Sequence, residues 1–170
     1  MTPLTIRPAR PDDADQMADL INALIRLGNN TVHRSLFDHQ RMMDHYLAPT
    51  LGIACLVAEN DRQVMGFQAL EWSNPNWQGP DARPEGWAMI ATFVRQDTHQ
   101  QGIGTRLFKN TLTAAKSAKA IAIDATIRSD NQSGLRYYTK MGFQQDGVLK
   151  SVPLSDGTKV DRVRTSILLC

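Results

Sequence analysis

What this sequence lacks narrows its class before any motif is considered. Charge of one sign is absent in excess: 19 Lys and Arg stand against 17 Asp and Glu, a net of +2. The basic residues are scattered, so no nucleic-acid-binding stripe is expected. Only two cysteines occur. Cys55 sits in an apolar stretch and Cys170 is the last residue, which gives no disulfide framework and suits a reduced, cytoplasmic protein. No apolar run approaches the ~20 residues that cross a bilayer, and no basic-then-apolar leader opens the chain, so no membrane partner is expected. Repeats, low-complexity tracts and linkers are missing too. With 42% hydrophobic and 21% charged residues in 170, the expectation is a single compact domain over 1–170. His33, His39 and His45 cluster in sequence, but six-residue spacing does not share one helix face and no acidic or cysteine partner is suitably placed. No metal is expected.

The most informative stretch is 87–116, WAMIATFVRQDTHQQGIGTRLFKNTLTAAK. Trp87 to Val94 is apolar and β-branched enough for a strand covered on both faces. After the polar residues 95–101, Gly102-Ile103-Gly104-Thr105 opens a helix along which Ile103, Leu107, Phe108, Leu112 and Ala115 recur at helical spacing. A helix that starts in a glycine turn presents main-chain N–H groups with no intrahelical partner, at the positive end of the helix dipole. Such a terminus suits phosphate oxygens. Glycine fits there where a Cβ would obstruct close approach or where φ must be positive. The third glycine of a dinucleotide-binding turn and the Gly-Lys-Ser/Thr of a P-loop are both absent, which argues against those sites.

A second stretch, NQSGLRYYTKMGF from Asn131 to Phe143, follows another apolar strand, 120–127. Together the two stretches resemble the GNAT superfamily of acyl-CoA-dependent N-acyltransferases, with a faint similarity in layout to phosphinothricin-type acetyltransferases. The family's loop Arg/Gln-x-x-Gly-x-Gly/Ala is matched by His99-Gln100-Gln101-Gly102-Ile103-Gly104. Its later pattern Asn-x-x-Ala-x-x-Phe-Tyr-x-Lys-x-Gly-Phe is matched by Asn131, Gly134, Tyr137, Tyr138, Lys140, Gly142 and Phe143.

The resemblance implies acetyl-CoA as co-substrate and an amine as acceptor. The pantetheine arm would pair with backbone groups near Phe93 and Val94, with the Val94 N–H as oxyanion donor. The pyrophosphate would rest on the loop formed by His99, Gln100, Gln101, Gly102, Ile103, Gly104 and Thr105, chiefly on its amides from Gln100 onward, and Asn131 would touch the cofactor. Tyr138 matches the position whose phenol acts as general acid near the sulfur. Tyr137 and Tyr138 cannot share a helix face, so one packs in the core while the other faces the cofactor. Two departures stand out. His99 replaces the usual Arg or Gln, and the central strand carries no glutamate to serve as base, which leaves Glu71, Glu85 and His45 as candidates.

The remaining segments complete an α/β GNAT expectation: a mixed, mostly antiparallel sheet with helices on both faces and a split between the central strands. A strand at 4–7 and a helix from Pro11 to Gly28 come first, with Asp12, Asp13 and Asp15 as capping residues. A helix at 36–47 and a hairpin, 52–58 with 63–72, follow. The loop 73–86, rich in proline and glycine, is a candidate wall of the acceptor site, and its Trp77 is a candidate for stacking on substrate. Asp130 is a candidate N-cap for the helix at 131–141, and a final hairpin spans 143–169. The expected activity is N-acetylation of a small, amino-acid-like primary amine. A protein or peptide acetyltransferase and a non-catalytic acyl-CoA-binding module remain as alternatives, and family members often form homodimers.

Overall fold

The computed structural model describes residues 3–98 and 102–169. In chain order the elements are β1 (Thr5–Pro8), α1 (Ala14–Leu27), α2 (His39–Met42), which continues as one wide turn over Met43–Leu47, and β2 (Gly52–Asn60). Then follow β3 (Gln63–Trp72), β4 (Trp87–Val94), α3 (Ile103–Ser117), β5 (Ala122–Arg128), α4 (Gln132–Lys140), β6 (Gln144–Pro153) and β7 (Lys159–Leu168). The seven strands form one sheet in the order β1-β2-β3-β4-β5-β7-β6. Every neighbouring pair is antiparallel except β4 with β5.

Side-chain alternation along the strands builds a core on each face. Val57, Phe67, Ala69 and Phe93 pack under α1 and α2, where Met17, Leu20, Ile21 and Leu24 bury the apolar stripe of α1. On the other face Leu70 and Ala88 pack with Phe108 and Ala115 of α3 and Tyr138 of α4. The β2–β3 turn holds Asp61 and Arg62 at φ +52° and +64°, the left-handed pair that a two-residue hairpin requires.

Several local expectations change. Asn131, not Asp130, caps α4, its Oδ1 accepting from the Gly134 N–H at 3.0 Å. Asp130 instead pairs with Arg128 at 2.8 Å. Asp13 caps the first turn of the α1 region by accepting from the Arg10 N–H, and it also takes a two-pronged bond from Arg7 of β1. The loop 73–86 lines none of the cavities described below. It is anchored instead by Arg83, which bonds Asp124 of β5 at 2.7 Å and both carboxylate oxygens of Asp146 on β6 at 2.9 Å. Trp77 is 56% exposed and donates to Asp81 within the same loop.

The feature that positions the site is the brevity of the parallel pair. β4 and β5 are in register only at Trp87–Ala122, Ala88–Ile123 and Met89–Asp124. Beyond Met89, β4 keeps β3 as its partner and β5 keeps β7, so the two strands part.

Candidate active site

The ladder decides which groups face this split. The Arg95 N–H donates to Met65 O, and Trp87 O accepts from the Ser73 N–H, so odd-numbered residues at both ends of β4 turn their main chain toward β3. With a period of two, Phe93 does the same opposite Phe67, and its ring packs against Phe67 and Tyr46. The N–H and C=O groups of Thr92 and Val94 turn the other way, into the split. Val94 therefore turns its amide into the split, whereas the main chain of Phe93 is engaged in the sheet.

At the open end of the split lies the start of α3. Gly102 precedes it at φ +67°, and a Cβ there would meet nothing within 4 Å, so the turn itself demands glycine. The Arg106 N–H bonds Gly102 O at 3.0 Å, and the amides of Ile103, Gly104 and Thr105 have no acceptor among the described residues. These three donors at the end of a 15-residue helix fit a diphosphate. His99, Gln100 and Gln101 lie outside the described residues. Gly104 has a different reason for being glycine, because a Cβ there would sit 2.7 Å from the Tyr137 ring.

The two tyrosines do not divide into one core and one site residue: their rings touch edge to face with centroids 4.9 Å apart, both border the same cavity, and only their hydroxyls turn to different partners. Tyr137 donates to Gly104 O at 2.8 Å and so ties α4 to α3. Tyr138 is buried, and its Oη lies 2.8 Å from Thr92 Oγ1 in the split. Gln68 of β3, fully buried, donates Nε2 both to Thr92 Oγ1 at 2.8 Å and to Tyr137 Oη at 3.0 Å. Burial raises both phenols, Tyr137 to about 12 and Tyr138 further, so each keeps its proton at neutral pH.

Three cavities meet here. One of about 250 Å³ is bounded by Leu24, Thr92, Val94, Gly104, Asn131 and Tyr138 among others. A second, about 310 Å³, lies on the α2 face beside His33, His45, Glu71, Met89, Ala91 and Arg162. A narrower space of about 170 Å³ borders both and shares Thr92, Asn131 and Tyr138 with the first and His33, Tyr46 and Arg162 with the second. Thr92 and Val94 belong to one face of β4, Met89 and Ala91 to the other, so the passage threads the sheet through the split.

Of the candidate bases, Glu71 and His45 reach the second cavity and Glu85 is exposed outside it. Burial raises the Glu71 carboxyl, and burial together with Arg41 lowers His45. His33 Nε2 is 2.6 Å from Tyr46 Oη, and burial, with His45 and Arg41 nearby, lowers its pKa to about 4. Although the sequence spacing separates them, the rings of His33 and His45 come within 5.1 Å. His39 turns away to Asp15 of α1. Cys55, half-buried on β2 and raised to about 12 by burial, borders none of the three cavities.

Sequence reasoning missed Gln68, Thr92 and Arg162. The only available signal was the presence of polar residues inside otherwise apolar strands, since their meeting depends on the register of β3 with β4 and of β5 with β7. No helix among the described residues is long and apolar enough to cross a membrane.

The architecture recurs in solved acetyltransferases. An N-acetyltransferase from Staphylococcus aureus Mu50 superposes with a TM-score of 0.82 at 18% identity, covering 99% of this chain and 100% of the other. A ribosomal-protein-alanine N-acetyltransferase from Brucella melitensis gives 0.78 at 21%, covering 97% and 99%. A GNAT superfamily phosphinothricin acetyltransferase from Sinorhizobium meliloti in complex with AcCoA gives 0.79 at 17%, covering 99% and 89%. No curated protein matches the chain in sequence. The sequence profile of the Acetyltransferase (GNAT) family matches residues 18–143, the span that carries the split, the glycine turn and the tyrosine helix, and the chain belongs to that family.

Proposed function

We propose that this protein transfers an acetyl group from acetyl-CoA to the primary amine of a small, amino-acid-like molecule. The observation that carries the reading is the coincidence, at one split between β4 and β5, of α3-terminus amides without an acceptor among the described residues, a Val94 amide turned into the split and a protonated phenol at Tyr138. Acetyl-CoA supplies an activated carbonyl and a thiolate leaving group. Ile103, Gly104 and Thr105 hold the diphosphate on their amides, and Val94 donates to the carbonyl oxygen as negative charge develops there. The amine nitrogen forms the new bond to the carbonyl carbon and the carbon–sulfur bond breaks. Tyr138 gives its proton to the departing sulfur. Glu71, which borders the second cavity and whose carboxyl pKa is raised by burial, takes the ammonium proton directly or through water. Asn131 holds the start of α4, and with it Tyr138, against Asn30 of the facing loop.

A concave acceptor cavity of about 310 Å³ favours a small molecule over a protein chain, for which an open groove is required. Retention of Tyr138 favours catalysis over passive acyl-CoA binding. The test is thiol release from acetyl-CoA across a panel of primary amines, with the wild type and Tyr138→Phe. Turnover by the variant should fall by about 100-fold while acetyl-CoA still binds; equal turnover would remove Tyr138 from the mechanism.

A further inference from the structure

Arg162 leaves β7 and reaches over β5, where Nη2 donates to Thr126 O at 3.2 Å. Its Nη1 forms a long ion pair with Asp81 Oδ2 at 3.6 Å, too far for a hydrogen bond, and among the described residues its buried Nε has no acceptor. A guanidinium carries five N–H donors, and among the described residues one of them is satisfied. Arg83 shows the contrast, since the same fold gives that side chain two carboxylates and a carbonyl. Arg162 also borders both the acceptor-side cavity and the passage to the split. Burial lowers its pKa, so a charge is kept here against a desolvation cost that its protein partners do not offset.

The second charge in that cavity is the Glu71 carboxylate, which has no hydrogen bond or ion pair among the described residues. Glu71 and Arg162 do not pair with each other, and Met89, Ile90 and Ala91 of β4 supply apolar lining along the same cavity. One anionic and one cationic group, apart in a small cavity, complement a ligand that carries both an ammonium and an acid.

We propose that the acceptor is an amine bearing a carboxylate on the same short skeleton, and that Arg162 binds that carboxylate. The inference rests on the acyl-transfer reading and adds the residue that selects the substrate. Glu71 meets the ammonium end, which places the nitrogen toward the split, and the fork of Arg162 meets the carboxylate.

The test compares, for each of several amino acids, the acid, its primary amide and the decarboxylated amine as acceptors with acetyl-CoA. Wild-type kcat/KM should favour the acid over both analogues by about 10- to 100-fold, the range for a hydrogen-bonded charge. In Arg162→Gln that preference should shrink to about threefold or less, and Arg162→Lys, which keeps the charge without the fork, should restore part of it. If Arg162→Gln does not fold, the acid-to-amide ratio in the wild type and in Arg162→Lys decides. A wild type indifferent to the carboxylate, or an Arg162→Gln enzyme that keeps the preference, overturns the inference and leaves acetyl transfer standing. Absence of thiol release with every amine overturns the acyl-transfer reading itself, and this inference with it.

Discussion

Replacing Thr92 with valine keeps the shape of the side chain and removes the one oxygen on which Gln68 and Tyr138 converge. Two hydrogen bonds of 2.8 Å disappear. Gln68 Nε2 retains only Tyr137 as partner, in a side chain whose Oε1 is already without one. A net ~1 kcal/mol for each bond, plus the added cost of leaving a buried donor short of an acceptor, gives a destabilisation of about 2–3 kcal/mol. For a chain of this size that lowers Tm by about 4–12 °C. The assay is thermal unfolding of wild type, Thr92→Val, Tyr138→Phe and the double variant. Because the two residues share a bond, the cycle should show a coupling of about 1 kcal/mol, whereas independent sites add to within about 0.5 kcal/mol. Strict additivity, or a melting temperature within about 2 °C of wild type, would refute the claim that Thr92 holds the Tyr138 phenol.

The two glycines of the α3 turn should fail differently. Gly104→Ala forces its Cβ into the Tyr137 ring, which should cost about 1–3 kcal/mol in unfolding measurements. Gly102→Ala meets no neighbour but must hold φ +67°, a strain of about 1–2 kcal/mol, and should also weaken acetyl-CoA binding in calorimetry. His33 is held neutral by burial with a pKa of about 4, below the unfolded value near 6.5. The unfolded chain therefore binds the proton first as pH falls, and stability should drop from about pH 6.5 down to about pH 4. His33→Asn should flatten that drop in denaturant titrations across the range.

Much of the fold was legible in the sequence because local patterns encode it. The strand from Trp87 to Val94 has the expected ends, the hairpins fall where turn residues predict them, and α1 follows its apolar stripe to Gly28. The adjacency of Tyr137 and Tyr138 suggested one core and one site residue, whereas their rings touch and both border the same cavity. Illegible were the properties set by register between distant strands. Nothing near Gln68 announces that β3 and β4 align it with Thr92, and nothing near Arg162 shows that β7 lies beside β5 rather than at the sheet edge. The anchoring of the loop 73–86 was illegible for a related reason: Arg83 binds it to two carboxylates 41 and 63 residues away, and its Asp81 meets the cavity only through Arg162 of β7.

The opening through the sheet has a consequence for the choreography of the reaction. In the proposed acyl transfer, donor and acceptor would reach the meeting point from opposite sides, so neither would have to depart before the other arrives. The acetyl group would then be handed over directly, without a stopover on a side chain of the protein, and Cys55, half-buried and bordering none of the three cavities, is in no position to act as a carrier.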